Sequence, residues 1–249
     1  MNKACFSLAL IAPPIHTVST FQMIVLIEKH NAHRYPHLLD EMFRLRARIF
    51  RDRLKWDVHV AEGRERDKYD DGAPLYIVYT DDEERDVKGS LRLLPTTGPT
   101  LLADLFSDTV PDAAHLSAPT IWECTRFCLN DSILDEGEQD QLFFASAILI
   151  AALGEVAINA GIESIIANFD SAMLRLYRRL GCEVEVLGST SRYGRVVYLG
   201  LFPVSTPILC RIKERIKSGG ASFAKARGAA DPPFLRLAVA DSRENTLDY

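Results

Sequence analysis

A positively charged side chain on the apolar face of a helix is the feature that most limits how this chain can fold. Residues 37–55 predict an amphipathic helix that begins just after Pro36, because apolar side chains recur there every three to four residues. These are Leu38, Leu39, Met42, Phe43, Leu45, Ile49 and Phe50. Arg46 shares their face, four residues after Met42 and four before Phe50. A guanidinium turned toward a core needs an anionic partner or several acceptors, so we expect a negative group to face Arg46.

The segment from this helix to Asp70 is too charged to be core and combines three kinds of side chain. Trp56 supplies an aromatic ring, and Asp67 and Asp70 are two acids at i,i+3 spacing. Together with Arg46 they suit a small zwitterion that carries an additional positive charge. We therefore predict that residues 46–70 bind the substrate.

Length and composition indicate one domain. With 249 residues, 47% of them hydrophobic and 25% charged, the chain can bury a sizeable core. We assign the domain to residues 23–217, preceded by a disordered extension (1–22) and followed by a mobile tail (218–249). The net charge of −5 and the lack of a basic stripe argue against nucleic-acid binding. We find no run that approaches the ~18 apolar residues of a membrane span, and we expect a cytoplasmic protein.

The cysteines and histidines predict neither a disulfide framework nor a metal site. The five cysteines are an odd number, widely scattered and without a C-x-x-C pair, which favours a reducing compartment. His30, His33 and His37 have a spacing like that of metal ligands, but Pro36 interrupts any shared helix. We interpret them as part of a solvated loop and expect no metal and no cofactor.

Two arginine-containing strands follow. After a first strand at Met23–Glu28, residues 75–80 and 87–94 predict a hairpin. In its second strand Leu91 and Leu93 share one face, so alternation turns Arg92 to the other face. An exposed strand arginine is an equally good interpretation of Arg92 taken alone.

Thr120–Leu129 predicts a buried strand that carries Glu123 and Arg126 in its middle. Strict alternation sends these two side chains to opposite faces, because their separation is odd. A β-bulge between them brings both to one side, and bulges are common beside active sites. The alternatives are a structural Glu–Arg ion pair or two exposed residues on an edge strand.

The remaining elements complete a sandwich. We predict helices at Gln139–Ala160, Ser171–Leu180 and Pro207–Lys217, and strands at Ile162–Phe169, Glu183–Leu187 and Arg192–Phe202. This order favours a mixed α/β or α+β fold with a central sheet. Arg175, Arg178 and Arg179 lie on the polar side of the second of these helices, either as a solvated face or as a site for an acidic partner protein.

Taken together, these polar positions resemble the LuxI-type acyl-homoserine-lactone synthases. The resemblance runs from about Met23 to Lys217 and rests on residues in the same order along the chain, namely Arg46, Phe50, Trp56, Asp67, Asp70, Arg92, Phe106, Glu123 and Arg126. It implies a three-layer fold similar to the GCN5-related N-acetyltransferases, with a V-shaped gap between central strands. It also implies two substrates, S-adenosylmethionine and an acyl thioester on acyl carrier protein or coenzyme A. The products would be an acyl-homoserine lactone, used as a quorum-sensing signal, and methylthioadenosine.

The resemblance assigns roles to these residues. Arg46, Asp67 and Asp70 would hold the carboxylate, ammonium and ribose of S-adenosylmethionine, and Phe50, Trp56 and Phe106 would pack around it. Glu123 would be the general base that deprotonates the amine, directly or through one water. Arg92 and Arg126 would order the acidic loop and hold Glu123. Thr125 stands where the family usually has a serine and retains the hydroxyl.

The acyl chain would lie among apolar side chains of the predicted strands and helices. We assign Phe127, Leu149, Ala167, Phe169, Met173 and Leu176 to this pocket. Ala167 stands where family members that make 3-oxo signals often have threonine, which argues against a 3-oxo chain.

Two other functions compete with the synthase. An acyl-CoA N-acyltransferase of the general acetyltransferase class would need a Gln/Arg-x-x-Gly-x-Gly/Ala loop at a helix start. The nearest string here, residues 178–183, is at a helix end and has the wrong last residue. A non-catalytic S-adenosylmethionine-binding protein would retain Arg46 and Trp56 but would have no need for Glu123. The sequence leaves open the acyl chain, the carrier and the oligomeric state.

Overall fold

The computed structural model describes residues 22–80, 86–107, 110, 114–130, 139–192, 194–226 and 235–238. The expected disordered extension therefore lies outside the described residues, apart from Gln22 in the first strand. The strands are β1 Gln22–Ile27, β2 Val60–Ala61, β3 Arg64–Glu65, β4 Leu75–Thr80, β5 Val87–Pro95, β6 Ile121–Leu129, β7 Ser164–Phe169, β8 Glu185–Thr190, β9 Val197–Pro203 and β10 Leu235–Ala238. The α-helices are α1 Pro36–Arg46, α2 Leu101–Asp104, α3 Gln139–Asn159, α4 Ser171–Leu180 and α5 Thr206–Ala226.

Eight strands form one mixed sheet in the order β10-β1-β4-β5-β6-β7-β9-β8. The β1–β10 and β6–β7 pairs are parallel, and the other pairs are antiparallel. The two short strands β2 and β3 pair only with each other. The predicted mixed central sheet is confirmed.

Helices cover both faces of this sheet, as expected for a three-layer sandwich. On one face α3 and α5 pack against inward side chains such as Leu91, Leu93 and Ala167. On the other face α1 packs over Val25, Ile27 and Val78, and α2 lies over the β6–β7 end of the sheet. The predicted alternation of side chains along β5 is confirmed, because Arg92 points to the α1 side of the sheet while Leu91 and Leu93 point to the α3 side.

The sheet opens between β6 and β7. Their parallel pairing runs from Ile121 and Ser164 to Cys124 and Ala167 and then stops. Beyond that point β6 continues only with β5, and β7 continues only with β9. The two strands separate at their C-terminal ends, which confirms the expected V-shaped gap.

Three predictions about the helices and the tail need correction. The helix predicted for residues 37–55 is α-helical only to Arg46 and continues as a π-helical segment at Ala47–Arg53. There the Leu54 N–H bonds to the Ile49 carbonyl, which shifts the following residues relative to an α-helix. The last helix extends beyond the predicted Lys217 to Ala226. Within the predicted mobile tail, Leu235–Ala238 form the strand β10, whose backbone pairs with β1.

Helix α3 departs from the expectation that no apolar run approaches the length of a membrane span. By length and composition alone, residues Gln141–Asn159 are apolar enough and long enough to cross a membrane. In the structure, 67% of this window is buried, where α3 packs between the sheet and α5. Its apolar character is explained by burial on several sides.

The close approach of α3 to the sheet depends on Gly89 in β5. A Cβ atom at this position would lie 3.0 Å from Leu149 Cδ1 of α3, 2.7 Å from Leu129 Cδ2 and 3.0 Å from the Cys128 carbonyl oxygen. We expect Gly89→Ala to lower the free energy of unfolding by about 1–3 kcal/mol, because the neighbouring backbone must move. Gly98→Ala is the control, since its nearest contact would be 3.7 Å away. Equal denaturation midpoints for the two variants would contradict this account of the packing.

Candidate active site

The buried guanidinium of Arg46 finds the negative partners that the sequence predicts. The Arg46 side chain is 1% exposed. Its Nε donates to Glu65 Oε2 at 2.6 Å, and Nη1 and Nη2 donate to the two carboxylate oxygens of Asp70, each at 2.9 Å. This bidentate geometry suits arginine and not lysine. The expectation of an anion facing Arg46 is confirmed.

Arg92 binds the same acidic segment from the sheet. Its Nη1 and Nη2 donate to the two oxygens of Asp67 at 2.5 and 2.9 Å, and Nη1 also donates to Asp70 at 2.7 Å. Its Nε donates to the Thr125 hydroxyl at 3.0 Å, so this hydroxyl has a structural function. Arg92 is fully buried, and its interpretation as an exposed strand residue is excluded.

Arg126 reaches this region because β6 contains a bulge, one of the arrangements considered from the sequence, at residues 126–127. Arg92 pairs with Thr125 and Ser90 with Cys128, so β6 has one residue more than β5 between these pairs. Arg126 adopts φ 54°, a left-handed conformation that is rare outside glycine. The bulge turns its guanidinium to the face of Glu123, where it binds Glu65 at 2.9 Å and Asp67 at 2.8 Å. These contacts replace the alternative Glu123–Arg126 ion pair.

We call these six side chains the arginine–carboxylate cluster; they are Arg46, Arg92, Arg126, Glu65, Asp67 and Asp70. Three positive and three negative charges balance within it. Burial raises the pKa of Asp70, but the hydrogen bonds and charges of Arg46 and Arg92 lower it further, to well below its ordinary value. Tyr76 adds a hydrogen bond to Asp70 at 2.7 Å, and burial beside this carboxylate raises the pKa of the Tyr76 hydroxyl.

The i,i+3 spacing of the two aspartates has a local cause. Asp67 caps a short 3₁₀ turn at Lys68–Asp71, where its side chain accepts from the Tyr69 N–H at 3.0 Å. The Asp70 carboxylate accepts in return from the Asp67 N–H at 2.8 Å, which completes a capping box. Both oxygens of Asp70 are thus occupied by protein donors.

The predicted contacts of Arg46 and Asp70 with substrate stay a prediction, since the structure shows both side chains bound to each other within the cluster. All three nitrogens of the Arg46 guanidinium donate to Glu65 or Asp70, and the side chain is 1% exposed. Within the acidic pair, Asp67 is the accessible member, with 18% of its side chain exposed. The Arg46–Asp70 pair therefore connects α1 to the 3₁₀ turn at Lys68–Asp71.

Glu123 lies on the same face of the sheet in a different environment. It is fully buried, and its two carboxylate oxygens accept from the N–H groups of Leu101 and Leu102 at 2.8 and 2.7 Å. Thr100 caps the same helix start by accepting from the Ala103 N–H at 3.1 Å. Burial raises the pKa of Glu123 to about 7, although these N–H bonds and the charges of Arg92 and Arg126 lower it. A carboxyl group poised near neutral pH can accept a proton in catalysis.

A cleft of about 330 Å³ passes through the gap between β6 and β7. Phe50 and Trp56 lie on one side of it, with ring centroids 5.2 Å apart, and Phe106 and Arg126 lie near them. The apolar side contains five of the six residues predicted for the acyl pocket, which are Phe127, Ala167, Phe169, Met173 and Leu176. Leu149 is the exception. It is fully buried in the core of α3, on the face that packs against the sheet, and it does not line the cleft.

A family model described as "autoinducer synthase" matches residues 30–212, which span the cluster, the cleft and Glu123. The chain belongs to the autoinducer synthase family. It is 38% identical to an acyl-homoserine-lactone synthase of Rhizobium etli over 74% of this chain and 85% of that relative. It is 32% identical to an isovaleryl-homoserine lactone synthase of Bradyrhizobium diazoefficiens over 67% of this chain and 72% of the relative.

Solved structures of this family have the same fold. One is a CoA-dependent acyl-homoserine lactone synthase with SAM and isopentyl-CoA, which is 26% identical. It superimposes with a TM-score of 0.69 over 87% of this chain and 93% of that chain. The expected fold and enzyme family are confirmed.

The three arginines predicted for partner docking lie on the exposed side of α4 in this autoinducer synthase. Arg175, Arg178 and Arg179 are exposed, and the Arg179 guanidinium lies over the Phe143 ring at 4.2 Å from its centroid. Arg215 donates to the Arg179 carbonyl, which brings a fourth positive charge to this surface. Their use as a docking site stays a prediction.

Sequence reasoning missed Glu65, the carboxylate that joins Arg46 to Arg126. Glu65 is fully buried in the two-residue strand β3, between Arg64 and Arg66. A charged run of this kind resembles a solvated loop, and it contains no periodicity that marks one member as buried. The one available signal was charge balance, since three inward arginines faced only Asp67 and Asp70.

The cluster gives a stability prediction for this autoinducer synthase. Glu65→Gln keeps the shape of the side chain but leaves Arg46 and Arg126 short of one buried negative charge. We expect a loss of about 3–5 kcal/mol in the free energy of unfolding, measured by chemical denaturation. Glu62→Gln is the matched control, because its partner Arg64 is at the surface and Glu62 is 86% exposed. An unchanged midpoint for Glu65→Gln would show that the cluster does not depend on charge balance.

Proposed function

We propose that this chain is an acyl-homoserine-lactone synthase that acylates the amine of S-adenosylmethionine from an acyl thioester and then closes the lactone. One observation carries the proposal. A buried carboxyl group, Glu123, is held by two backbone N–H groups one residue before the β6–β7 pairing ends, with its pKa raised to about 7. Such a group is a general base at neutral pH. Family membership and the complex of a related enzyme with SAM and isopentyl-CoA support the same reaction.

The chemistry requires one proton acceptor and two substitution steps, each of which forms one bond and breaks one. Glu123 takes a proton from the ammonium of S-adenosylmethionine, directly or through one water. The free amine then attacks the thioester carbonyl, an amide forms, and the carrier leaves as a thiol. In the second step the methionyl carboxylate attacks its own γ-carbon, the carbon–sulfur bond breaks, and methylthioadenosine leaves as a neutral thioether. This second step needs mainly a bound conformation in which the carboxylate faces the γ-carbon.

We place S-adenosylmethionine between the arginine–carboxylate cluster and the aromatic side of the cleft. Phe50 and Trp56 offer ring faces to the sulfonium, a contact worth ~0.5–2 kcal/mol. Asp67 is the accessible acid for an ammonium or ribose hydroxyl group. Arg53 and Arg195 line the same cleft and supply positive charge for a carboxylate, in a more exposed position than Arg46.

The acyl chain then lies on the apolar side, against Phe127, Ala167, Phe169, Met173 and Leu176. For the carrier, the exposed arginines of α4 favour an acidic partner such as acyl carrier protein. Coenzyme A is the other donor to test, since related enzymes use it. A general acetyltransferase is disfavoured, because Gly181 ends α4 with φ 82° and residues 178–183 form no helix start for a pyrophosphate.

The deciding experiment is a product analysis. Purified protein is mixed with S-adenosylmethionine and a panel of acyl thioesters, each offered both on acyl carrier protein and on coenzyme A. The panel covers straight, branched and aromatic chains. We expect an acyl-homoserine lactone and methylthioadenosine in equal amounts by mass spectrometry. Absence of lactone from every thioester would refute the proposed function, whereas methylthioadenosine without lactone would indicate another use of S-adenosylmethionine.

Glu123→Gln tests the general base. We expect turnover to fall by roughly 10²–10⁴ with S-adenosylmethionine binding retained. In the wild type, kcat/KM should rise with pH through about 7, because only the carboxylate form of Glu123 accepts a proton. The rise of kcat/KM through pH 7 should be absent when the pH dependence of Glu123→Gln is measured. Glu163→Gln is the control, since the carboxylate of this exposed residue accepts a hydrogen bond from the Thr120 hydroxyl at 3.1 Å, away from the cleft. Turnover of Glu123→Gln at the wild-type rate would exclude Glu123 as the base.

A further inference from the structure

One buried amide in the cleft has no hydrogen-bond partner. In the part of the chain that the structure describes, Asn168 Nδ2 and Oδ1 are the buried side-chain atoms left without one. Most buried polar groups are hydrogen-bonded, because removal from water without compensation is costly. By contrast, the amide of Asn31 donates to the Leu26 carbonyl at 3.0 Å and accepts from the Glu28 N–H at 2.8 Å. Asn168 is therefore a candidate for contact with a ligand.

Strand register places Asn168 on the reactive face of the sheet. In the β6–β7 pair Glu123 lies beside Ile166, and Asn168 is two residues further along β7, so all three point to the same side. Its partner on β9, Leu199, packs on that side as well. Asn168 lines the cleft together with Thr125 and Arg126.

Asn168 also marks the border between the polar and apolar parts of the cleft. The β6–β7 pairing ends at Cys124 and Ala167, so Asn168 is the first residue of β7 beyond the last pair. Its neighbours Ala167 and Phe169 point to the opposite side of the sheet, into the apolar part. An acyl thioester that passes through the gap would place its carbonyl group at this border, with the chain on the apolar side.

We infer that the Asn168 amide donates a hydrogen bond to the thioester carbonyl oxygen, an inference that rests on the proposed function. Attack by the amine converts this oxygen to an oxyanion, and a preorganised donor stabilises that charge more than the ground-state carbonyl. Glu123 as a carboxylate cannot supply a donor, and the guanidinium of Arg126 is engaged by Glu65 and Asp67. Among the described residues, the Asn168 amide is the buried side-chain donor without a partner, and it lines the cleft.

Asn168→Leu and Asn168→Asp test this contact in the full chain, with S-adenosylmethionine and the best thioester of the panel. Both variants remove the N–H donors, one with an apolar side chain and one with an acid of similar size. We expect kcat to fall by about 10²-fold, with the KM for S-adenosylmethionine within about twofold of wild type. Asn168→Gln keeps the donor and should recover part of the loss. If the wild type itself makes no lactone, the proposed function fails before this test begins.

The melting temperature separates this function from a structural one. Because the amide of Asn168 is unpaired, Asn168→Leu should keep or raise the Tm while kcat falls. Asn31→Leu is the matched control, which should lower the Tm and leave kcat near wild type, since it removes a satisfied amide remote from the cleft. A kcat within threefold of wild type in Asn168→Leu would overturn the inference. A loss confined to 3-oxo or 3-hydroxy thioesters would overturn it as well, since Asn168 would then recognise the acyl substituent.

Discussion

The burial of three guanidinium groups is the constraint on which the rest of this structure depends. A buried arginine without its partner is strongly destabilising, so α1, the β3 strand, the 3₁₀ turn at Lys68–Asp71 and the strands β5 and β6 must all meet at one point. Ion pairs of this kind need not add much net stability. They do fix where the otherwise irregular segment between α1 and β4 can lie, and this segment forms one wall of the cleft.

Asp70 and Glu123 lie on one face of the sheet in two different electrostatic environments. Asp70 is surrounded by arginines, which hold its pKa well below the ordinary value and keep it ionised at any working pH. Glu123 accepts only from backbone N–H groups, and burial raises its pKa to about 7. The first environment suits a permanent structural charge, and the second suits a group that gains and loses a proton. This difference separates the residues that hold the site from the residue that carries out the chemistry.

Much of this arrangement could be predicted from the sequence. Apolar periodicity predicted α1 and the central strands, and alternation within β5 turned Arg92 away from Leu91 and Leu93. Charge inside apolar patterns identified Arg46, Glu123 and Arg126, because each is costly to bury without a partner or a task. The odd separation of Glu123 and Arg126 raised a bulge as one of several arrangements, and the structure contains one. These properties are local, since they depend on neighbours along the chain.

Only the tertiary structure decided which group meets which. The sequence determined that Arg46 must face an anion, but the structure showed that this anion is Asp70 together with Glu65, which no periodic pattern marks. The tertiary structure also decided that Leu149 lies in the core and does not line the cleft, and that the amide of Asn168 is unpaired at the edge of the gap. Local pattern determines which side chains turn inward. Their partners come from segments far apart in the chain, and only packing in three dimensions brings those segments together.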